Sequence, residues 1–465
     1  MINLNQDTIV APATTPGTGA ISIVRMSGPA ALAIADQVVS LPKGSLSEAA
    51  GYTLHYGTVT SGGKLLDQVL VSVFRAPHSY TGEDAVEIST HASSYIVSEL
   101  IRLLLEAGAR FAQPGEFTRR AFLSGKMDLA QAEAVADVIS ASTAAAHRVA
   151  MNQLRGGFSV ELSALRAQLL EMASLLELEL DFSEEEVEFA DRERLVSLLD
   201  ATRTHVDALA ASFRQGNMIK NGVPVAIAGA ANAGKSTLLN ALLGEERAIV
   251  TDIPGTTRDT IEEVLNLDGI LFRFIDTAGI RESGDTVERL GIDRTFRKIS
   301  EAEIVLGLVD LKTDPEPQLR QLLEHMDGQQ LVLVLNKADL LPQAQLDGLV
   351  EKLRTARPEA PLVAISAKGK TGLDALKEVL VSLEKDLLPD EDTVFVTNAR
   401  HYEALHTASA ALSDCRKALT GGIPTDLVAE DLRRSLASIN AILGTDLLDP
   451  EEVLHNIFKH HCIGK

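Results

Sequence analysis

Val223-Pro-Val-Ala-Ile-Ala-Gly-Ala-Ala-Asn-Ala-Gly-Lys-Ser236 carries the pattern from which the architecture follows. Its first six residues are apolar and predict a buried strand. Gly229 and Gly234 bound a loop, and Lys235 and Ser236 open a helical run, Thr237-Leu-Leu-Asn-Ala-Leu-Leu243. Strand, glycine-bounded loop, Lys-Ser and helix are the context that a phosphate-binding loop needs. The two glycines let the backbone curl until successive N–H groups face a β-phosphate, and the helix N-terminus adds its positive partial charge. Lys235 is expected to reach the β- and γ-phosphates, and the Ser236 hydroxyl to ligate Mg2+. Outward from this loop, Gly222 to about Lys385 alternates apolar strands with helical patterns. That alternation predicts a parallel-type α/β sheet wrapped by helices.

The loop by itself does not separate ATP from GTP. Leu331-Val-Leu-Val-Leu335 is a second apolar strand, ending in Asn336-Lys-Ala-Asp339. A carboxylate at Asp339 can accept hydrogen bonds from guanine N1–H and its exocyclic amine. Adenine offers neither group and would leave the carboxylate unpaired. Pro361-Leu-Val-Ala-Ile365 then runs into Ser366, Ala367 and Lys368, and Leu271-Phe-Arg-Phe-Ile275 into Asp276, Thr277, Ala278 and Gly279. Asp276 is expected to hold Mg2+ through water, and the Gly279 N–H to sense the γ-phosphate. Upstream lie Thr251, Asp252, Ile253, Pro254, Gly255, Thr256, Thr257, Arg258 and Asp259, with Thr256 or Thr257 as the switch threonine on Mg2+. The expected guanine-nucleotide contacts are therefore Asn232, Ala233, Gly234, Lys235, Ser236 and Thr237, residues 251–257, residues 276–279, Asn336, Lys337, Ala338 and Asp339, and residues 366–368. Ile280 follows Gly279, where Ras-like enzymes often carry the glutamine that orients the attacking water. An aliphatic side chain has no donor or acceptor for that role. Arg281, Glu282, Asp285, Glu288 and Arg289 are the nearby polar candidates, or simply a solvated face.

The chain has 465 residues and a formal net charge of −22, which argues against coating nucleic acid with a general basic surface. Arg119-Arg120, Arg433-Arg434 and Lys459 to His461 are small basic spots. Two cysteines, Cys415 and Cys462, make no disulfide framework and fit a reducing compartment. The first residues lack a signal-peptide pattern and no apolar run approaches ~18 residues, so a cytoplasmic chain without a membrane span is expected. Residues 1–118 mix β-rich runs, at 20–25 and 68–74, with an amphipathic helix from Tyr95 to Glu106. They read as an α+β domain. Residues 119–215 lack proline and carry Ala, Leu, Glu and Gln at helical spacing, and the helical character returns over 389–465. The α/β module at 216–388 is then either inserted into one helical domain or set between two separate ones.

The Gly255 to Asp259 switch, Asn232 within the phosphate loop and the terminal Cys462-Ile-Gly-Lys465 together resemble the MnmE (TrmE) family of tRNA-modification GTPases. So do Thr81-Gly-Glu-Asp84, Gln113-Pro-Gly-Glu-Phe-Thr118 and Lys126-Met-Asp-Leu-Ala-Gln-Ala-Glu133, and the likeness covers nearly the whole chain. The resemblance implies an N-terminal α+β domain that dimerises and binds 5,10-methylenetetrahydrofolate or 5-formyltetrahydrofolate. It implies a central all-α domain carrying an inserted Ras-like G domain. It also implies an FAD-containing partner, together with which the family builds an aminomethyl-type group on C5 of the wobble uridine of certain tRNAs. Asn232, Thr251, Ile253 and Thr256 match the family's K+ site, Ser236 and Thr257 its Mg2+ ligands, and Glu288 the acid that positions water. Lys235, Arg258 and Glu288 are the implied catalytic residues of hydrolysis. Arg25, Glu87, Lys126 and Lys465 match the folate contacts. Cys462 is either a buried thiol or a reactive one beside the folate, activated by His460, His461 and Lys465. A regulatory or ribosome-assembly GTPase without modification chemistry is the competing expectation.

Overall fold

The computed structural model describes residues 7–181, 192–230, 232–245, 263–275, 299–311, 315–387, 393–421 and 425–445, with Leu454, Ile457, Phe458, His461 and Gly464 near the end. The chain divides into two units: Met1–Ser140, Ala150–Asp207 and Glu403–Lys465 form one, and Ala141–Val149 and Ala208–Tyr402 the other. No described helix is long and apolar enough to cross a membrane.

The first unit is built on a seven-stranded sheet in the order β3-β4-β5-β6-β2-β1-β7. The strands are β1 (Ile9–Pro12), β2 (Gly19–Ser27), β3 (Val39–Ser40), β4 (Thr53–Ser61), β5 (Lys64–Phe74), β6 (Ala85–Ala92) and β7 (Arg110–Phe111). All pairings are antiparallel except β1 with β7. Alternation along the strands separates two faces. Val24, Met26, Val69, Val71, Val73, Val86 and Ile88 pack with Leu32 and Ile34 of helix Ala31–Val38 and with Leu100 and Leu104 of helix Ser94–Glu106. The opposite face exposes Ile21, Leu54, Tyr56 and Leu70. The predicted runs at 20–25 and 68–74 lie inside β2 and β5, and the predicted amphipathic helix is Ser94–Glu106.

Helices from both ends of the chain complete this unit. Helix Gly157–Asp181 meets helix Thr425–Leu443, where the Arg166 Nε–H donates to Asn440 Oδ1 at 2.8 Å. Arg416 pairs with Asp200 at 2.6 Å. The helical segments before and after the α/β module thus belong to one body, which makes the module an insertion and removes the alternative of two helical domains. Cys415 is fully buried there, and burial, with Asp431 adding to it, pushes its thiol up to about 12. It is a packing residue.

The second unit holds a six-stranded sheet in the order β13-β12-β11-β8-β10-β9. Its strands are β8 (Val223–Gly229), β9 (Glu263–Leu267), β10 (Ile270–Phe274), β11 (Ile304–Asp310), β12 (Gln330–Asn336) and β13 (Leu362–Ala364). Only β9 runs antiparallel, against β10. Every residue of β11 is buried, as a central parallel strand covered on both faces requires. From β8 the chain goes to one side for β9 and β10 and to the other for β11, β12 and β13. The loops leaving β8 and β11 therefore diverge, and a crevice opens at the carboxyl ends of these strands.

Candidate functional site

The loop after β8 ends a strand and starts helix Lys235–Glu245, as its sequence predicts. Gly229 has φ +154°, and a Cβ there would come within 2.5 Å of the Leu308 carbonyl on β11. Gly234 has φ +99°, and a Cβ there would lie 2.3 Å from Asn336 Nδ2. Both glycines are thus needed for the close approach of this loop to its neighbours. The Lys235 ammonium folds back over the loop, donating to the Gly229 carbonyl at 2.7 Å. Burial lowers its pKa. An anionic phosphate at the loop would favour the charged form and offset that desolvation.

Asn336 ties three loops together. Its Nδ2 donates to the Ala233 carbonyl at 2.8 Å, and its Oδ1 accepts from the backbone N–H groups of Lys337 at 2.8 Å and Ala367 at 3.1 Å. The side chain is almost fully buried, so each bond is made without competition from water. Lys337 has φ +67°, and its Nζ donates to the Asn232 carbonyl at 2.9 Å and to Asp310 Oδ2 at 2.8 Å. The Ser366 Oγ accepts from the Gly369 N–H at 3.0 Å, closing the turn after β13. Asp339 and Lys368 are exposed at the rim, where a base edge can reach them. Asn232, Ala233, Gly234, Lys235, Ser236 and Thr237 therefore share one end of the sheet with Asn336, Lys337, Ala338, Asp339, Ser366, Ala367 and Lys368. Asp310, at the end of β11, is a member that the motif reading did not name. Its signal in the sequence is the apolar run Ile304-Val-Leu-Gly-Leu-Val309 ending in a carboxylate.

The predicted residues Thr251, Asp252, Ile253, Pro254, Gly255, Thr256, Thr257, Arg258, Asp276, Thr277, Ala278, Gly279 and Glu288 lie outside the described residues. Cys462 and Lys465 do so as well. Of the metal candidates, Ser236 begins the helix after the loop, where a Mg2+ ligand belongs. Asn232, of the K+ set, is exposed and has φ +63°, a left-handed conformation that asparagine adopts more readily than most residues. An amide oxygen there suits a hard monovalent cation.

The other unit holds a second polar constellation. The β2–β6 register sets Arg25 opposite Glu87, and the Arg25 Nε–H donates to Glu87 Oε1 at 2.8 Å. Arg25 also donates to the Gly464 carbonyl at 3.2 Å. Its guanidinium carbon lies 5.5 Å from the Tyr80 ring centroid and 5.8 Å from that of Phe117. The Tyr80 hydroxyl bonds with Thr118 Oγ1 at 2.8 Å, which fixes the ring. Lys126 Nζ donates to the Pro77 carbonyl at 2.8 Å, at the start of the same loop that carries Tyr80. Arg25, Glu87 and Gly464 thus meet directly, and Lys126 joins them through residues 77–82. Gly464 sits so close to β1 that a Cβ would fall 2.1 Å from the Pro12 carbonyl. Guanidinium, carboxylate and ammonium suit a ligand with carboxylates and an amide-like edge, which is the chemistry of a folate.

Two basic spots look different in three dimensions. Arg120 is only 2% exposed and bonds Asp7 Oδ1 at 2.6 Å, both Glu83 oxygens at 3.2 Å and Glu116 Oε1 at 3.2 Å. It holds the unit together and is no part of a phosphate-binding surface. Glu83 and Glu116, from two of the sequence motifs, are its partners. Burial raises the Glu116 and Asp7 carboxyls, but the hydrogen bonds and charges of Arg110 and Arg120, helped at Glu116 by the Gln113 N–H, hold both below their ordinary values. Arg434 pairs with Asp414 at 3.1 Å and Asp431 at 3.2 Å.

Residues 8–126 match the family described as GTP-binding protein TrmE N-terminus, and residues 129–462 match the MnmE helical domain. The tRNA modification GTPase MnmE of Bacteroides thetaiotaomicron is 51% identical over 469 residues, spanning 99% of this chain and 100% of that one. The protein of the same name from Flavobacterium johnsoniae is 48% identical over 470 residues, again across 99% of this chain and 100% of that one. A likeness of that depth along the whole length shows that the chain belongs to the MnmE (TrmE) family of tRNA-modification GTPases.

Proposed function

We propose that this chain is a potassium-activated GTP hydrolase which, with an FAD-containing partner, modifies C5 of the wobble uridine of certain tRNAs with a tetrahydrofolate one-carbon unit. The observation that carries the reading is Asn336, whose one side chain joins the phosphate loop at Ala233 to the base loop at Lys337 and the last loop at Ala367. A site so fastened grips both ends of a guanine nucleotide at once. Curled N–H groups bind the pyrophosphate, and the Asp339 carboxylate reads the guanine edge.

Ser236 and Thr257 would hold Mg2+, and Asn232, Thr251, Ile253 and Thr256 would hold K+; the two cations supply positive charge against the phosphates, in the manner of an arginine finger. Lys235 and Arg258 add charge of the same sign, and Glu288 orients the attacking water in place of the glutamine that Ile280 replaces. Arg25, Glu87, Lys126 and Lys465 bind the folate, with Cys462 close to it. The exposed apolar face around Ile21, Leu54, Tyr56 and Leu70 shares its sheet side with Arg25 and Glu87, and supports a homodimer formed through the domain at 1–118. The G domain spans 216–388, between helical segments at 119–215 and 389–465. A net charge of −22 and the internal pairing of Arg120 and Arg434 leave the FAD-containing partner to supply much of the affinity for tRNA in the heterotetramer. The cytoplasm is the compartment such a reaction needs.

Turnover of GTP in potassium chloride against sodium chloride, followed by nucleoside analysis of tRNA from a deletion strain, tests the reading. Potassium-dependent turnover and loss of the wobble substituent are expected. Equal rates in the two salts would remove the cation role of Asn232, and an unaltered nucleoside profile would make the chain a regulatory GTPase instead.

A further inference from the structure

Three of the five non-glycine residues with positive φ among the described residues lie in the nucleotide loops: Asn232 at +63°, Lys337 at +67° and Lys370 at +54°. Such a conformation is strained for a residue with a Cβ, so it persists where surrounding groups hold it. Asn232 and Lys337 hold one another, since Lys337 Nζ donates to the Asn232 carbonyl at 2.9 Å. A second bond, to Asp310 Oδ2 at 2.8 Å, fixes the position of that same ammonium. Asp310 ends β11, where sheet register sets its place on both sides: it pairs with Asn336 on β12, while Leu308 pairs with Gly229 on β8. The Asp310 side chain is largely buried, and its backbone N–H is taken by Gln318 Oε1 at 3.3 Å. A lysine stem has four rotatable bonds, and without a fixed anion its tip would spread over several positions. The carboxylate is a fixed point built on the sheet, and the ammonium carries that fixity to the phosphate loop at the residue expected to ligate the monovalent cation.

We propose that Asp310 is a positioning residue for the GTPase reaction: through Lys337 it sets the left-handed turn at Asn232, and so couples the base loop to the phosphate loop and to its cation. The proposal rests on the reading of this end of the sheet as the guanine-nucleotide site.

The test uses the full chain with a fluorescent N-methylanthraniloyl GDP. In Asp310→Asn, which keeps the shape and removes the charge, nucleotide dissociation should quicken by about ten- to a hundredfold, the scale of one charge-assisted hydrogen bond. Lys337→Met should do the same. Nucleotide should leave the double variant no faster than it leaves the faster-dissociating of the two single variants, because both substitutions remove one link. The potassium concentration for half-maximal turnover should rise in Asp310→Asn, while the preference for guanosine over adenosine nucleotides, read by Asp339, should stay. A merely structural carboxylate would move the melting temperature and leave the coupling with Lys337 and the potassium midpoint alone. Failure of the unsubstituted chain to bind the fluorescent GDP would overturn the site assignment and the proposal with it. Binding with an unchanged dissociation rate in Asp310→Asn, or with effects of the two single substitutions that simply add, would overturn the proposal alone.

Discussion

The nucleotide end of the six-stranded sheet and the Arg25 face of the seven-stranded sheet are assembled by opposite means. In the first, the chemistry is mostly backbone, and each loop carries its own short signature after its own strand. In the second, the chemistry is side chain, and its members come from remote places: Glu87 lies 62 residues from Arg25, and Gly464 lies 439 residues from it. A backbone site tolerates no added atom, while a side-chain site tolerates shape changes and suffers from lost charge. The two regions should therefore answer differently to substitution.

Gly234→Ala should give the largest effect. The methyl would sit 2.3 Å from Asn336 Nδ2 on a backbone at φ +99°, so the loop must open. Loss of GDP affinity by about a thousandfold or more is expected, which is about 4 kcal/mol, measured by titration calorimetry. Folate binding should be untouched; a parallel loss of 5-formyltetrahydrofolate affinity would break the contrast between the regions.

Arg120→Met comes next. It leaves the carboxylates of Asp7, Glu83 and Glu116 without their buried cation, and a loss of about 3–5 kcal/mol is expected for breaking such a set. Hydrogen exchange of the β1 and β2 amides reads it locally. The sign of its pH dependence follows from the carboxyls. Asp7 and Glu116 are held below their ordinary values in the folded state, so their stabilisation is present above those values and fades as pH falls through the folded ones. The unsubstituted unit should thus weaken in acid more steeply than the Arg120→Met variant. Equal acid sensitivity would mean that the network does not set it.

Arg25→Ala should reduce 5-formyltetrahydrofolate affinity by about ten- to a hundredfold through one lost charge-assisted contact, and leave intrinsic GTP turnover unchanged. Tyr80→Leu should cost only a few-fold, about 0.5–1 kcal/mol of cation–π contact. Fluorescence titration with the folate measures both, and a reversed order would assign the anchoring to the ring instead of the charge. The smallest effect is expected at Cys415. With its thiol pushed up to about 12, iodoacetamide at pH 8 should leave it unmodified in the native chain. Mass spectrometry of the peptide decides it.

The legibility of the two regions differs for the same reason as their chemistry. Strands β8, β10, β12 and β13 were readable because each is a short apolar run followed at once by the loop it presents. β11 was not singled out, because no nucleotide signature follows it, and Asp310 was missed with it. The motifs containing Glu83 and Glu116 were readable only as marks of a family. Their work, satisfying a buried arginine, needs three segments in place before it exists. Arg120 itself read as a surface charge, since a sequence shows the sign of a residue and not its exposure.

The α/β class of the insertion, its phosphate loop and the expectation of a guanine base are legible in the chain alone, because all three depend on residues within a few positions of one strand end. It took the assembled fold to show that the flanking helices form one body, that Arg25 is clasped between Glu87, Gly464 and two rings, and that Lys337 joins Asp310 to Asn232. Those outcomes depend on strand register and on packing between distant segments, and no local stretch of the chain encodes either.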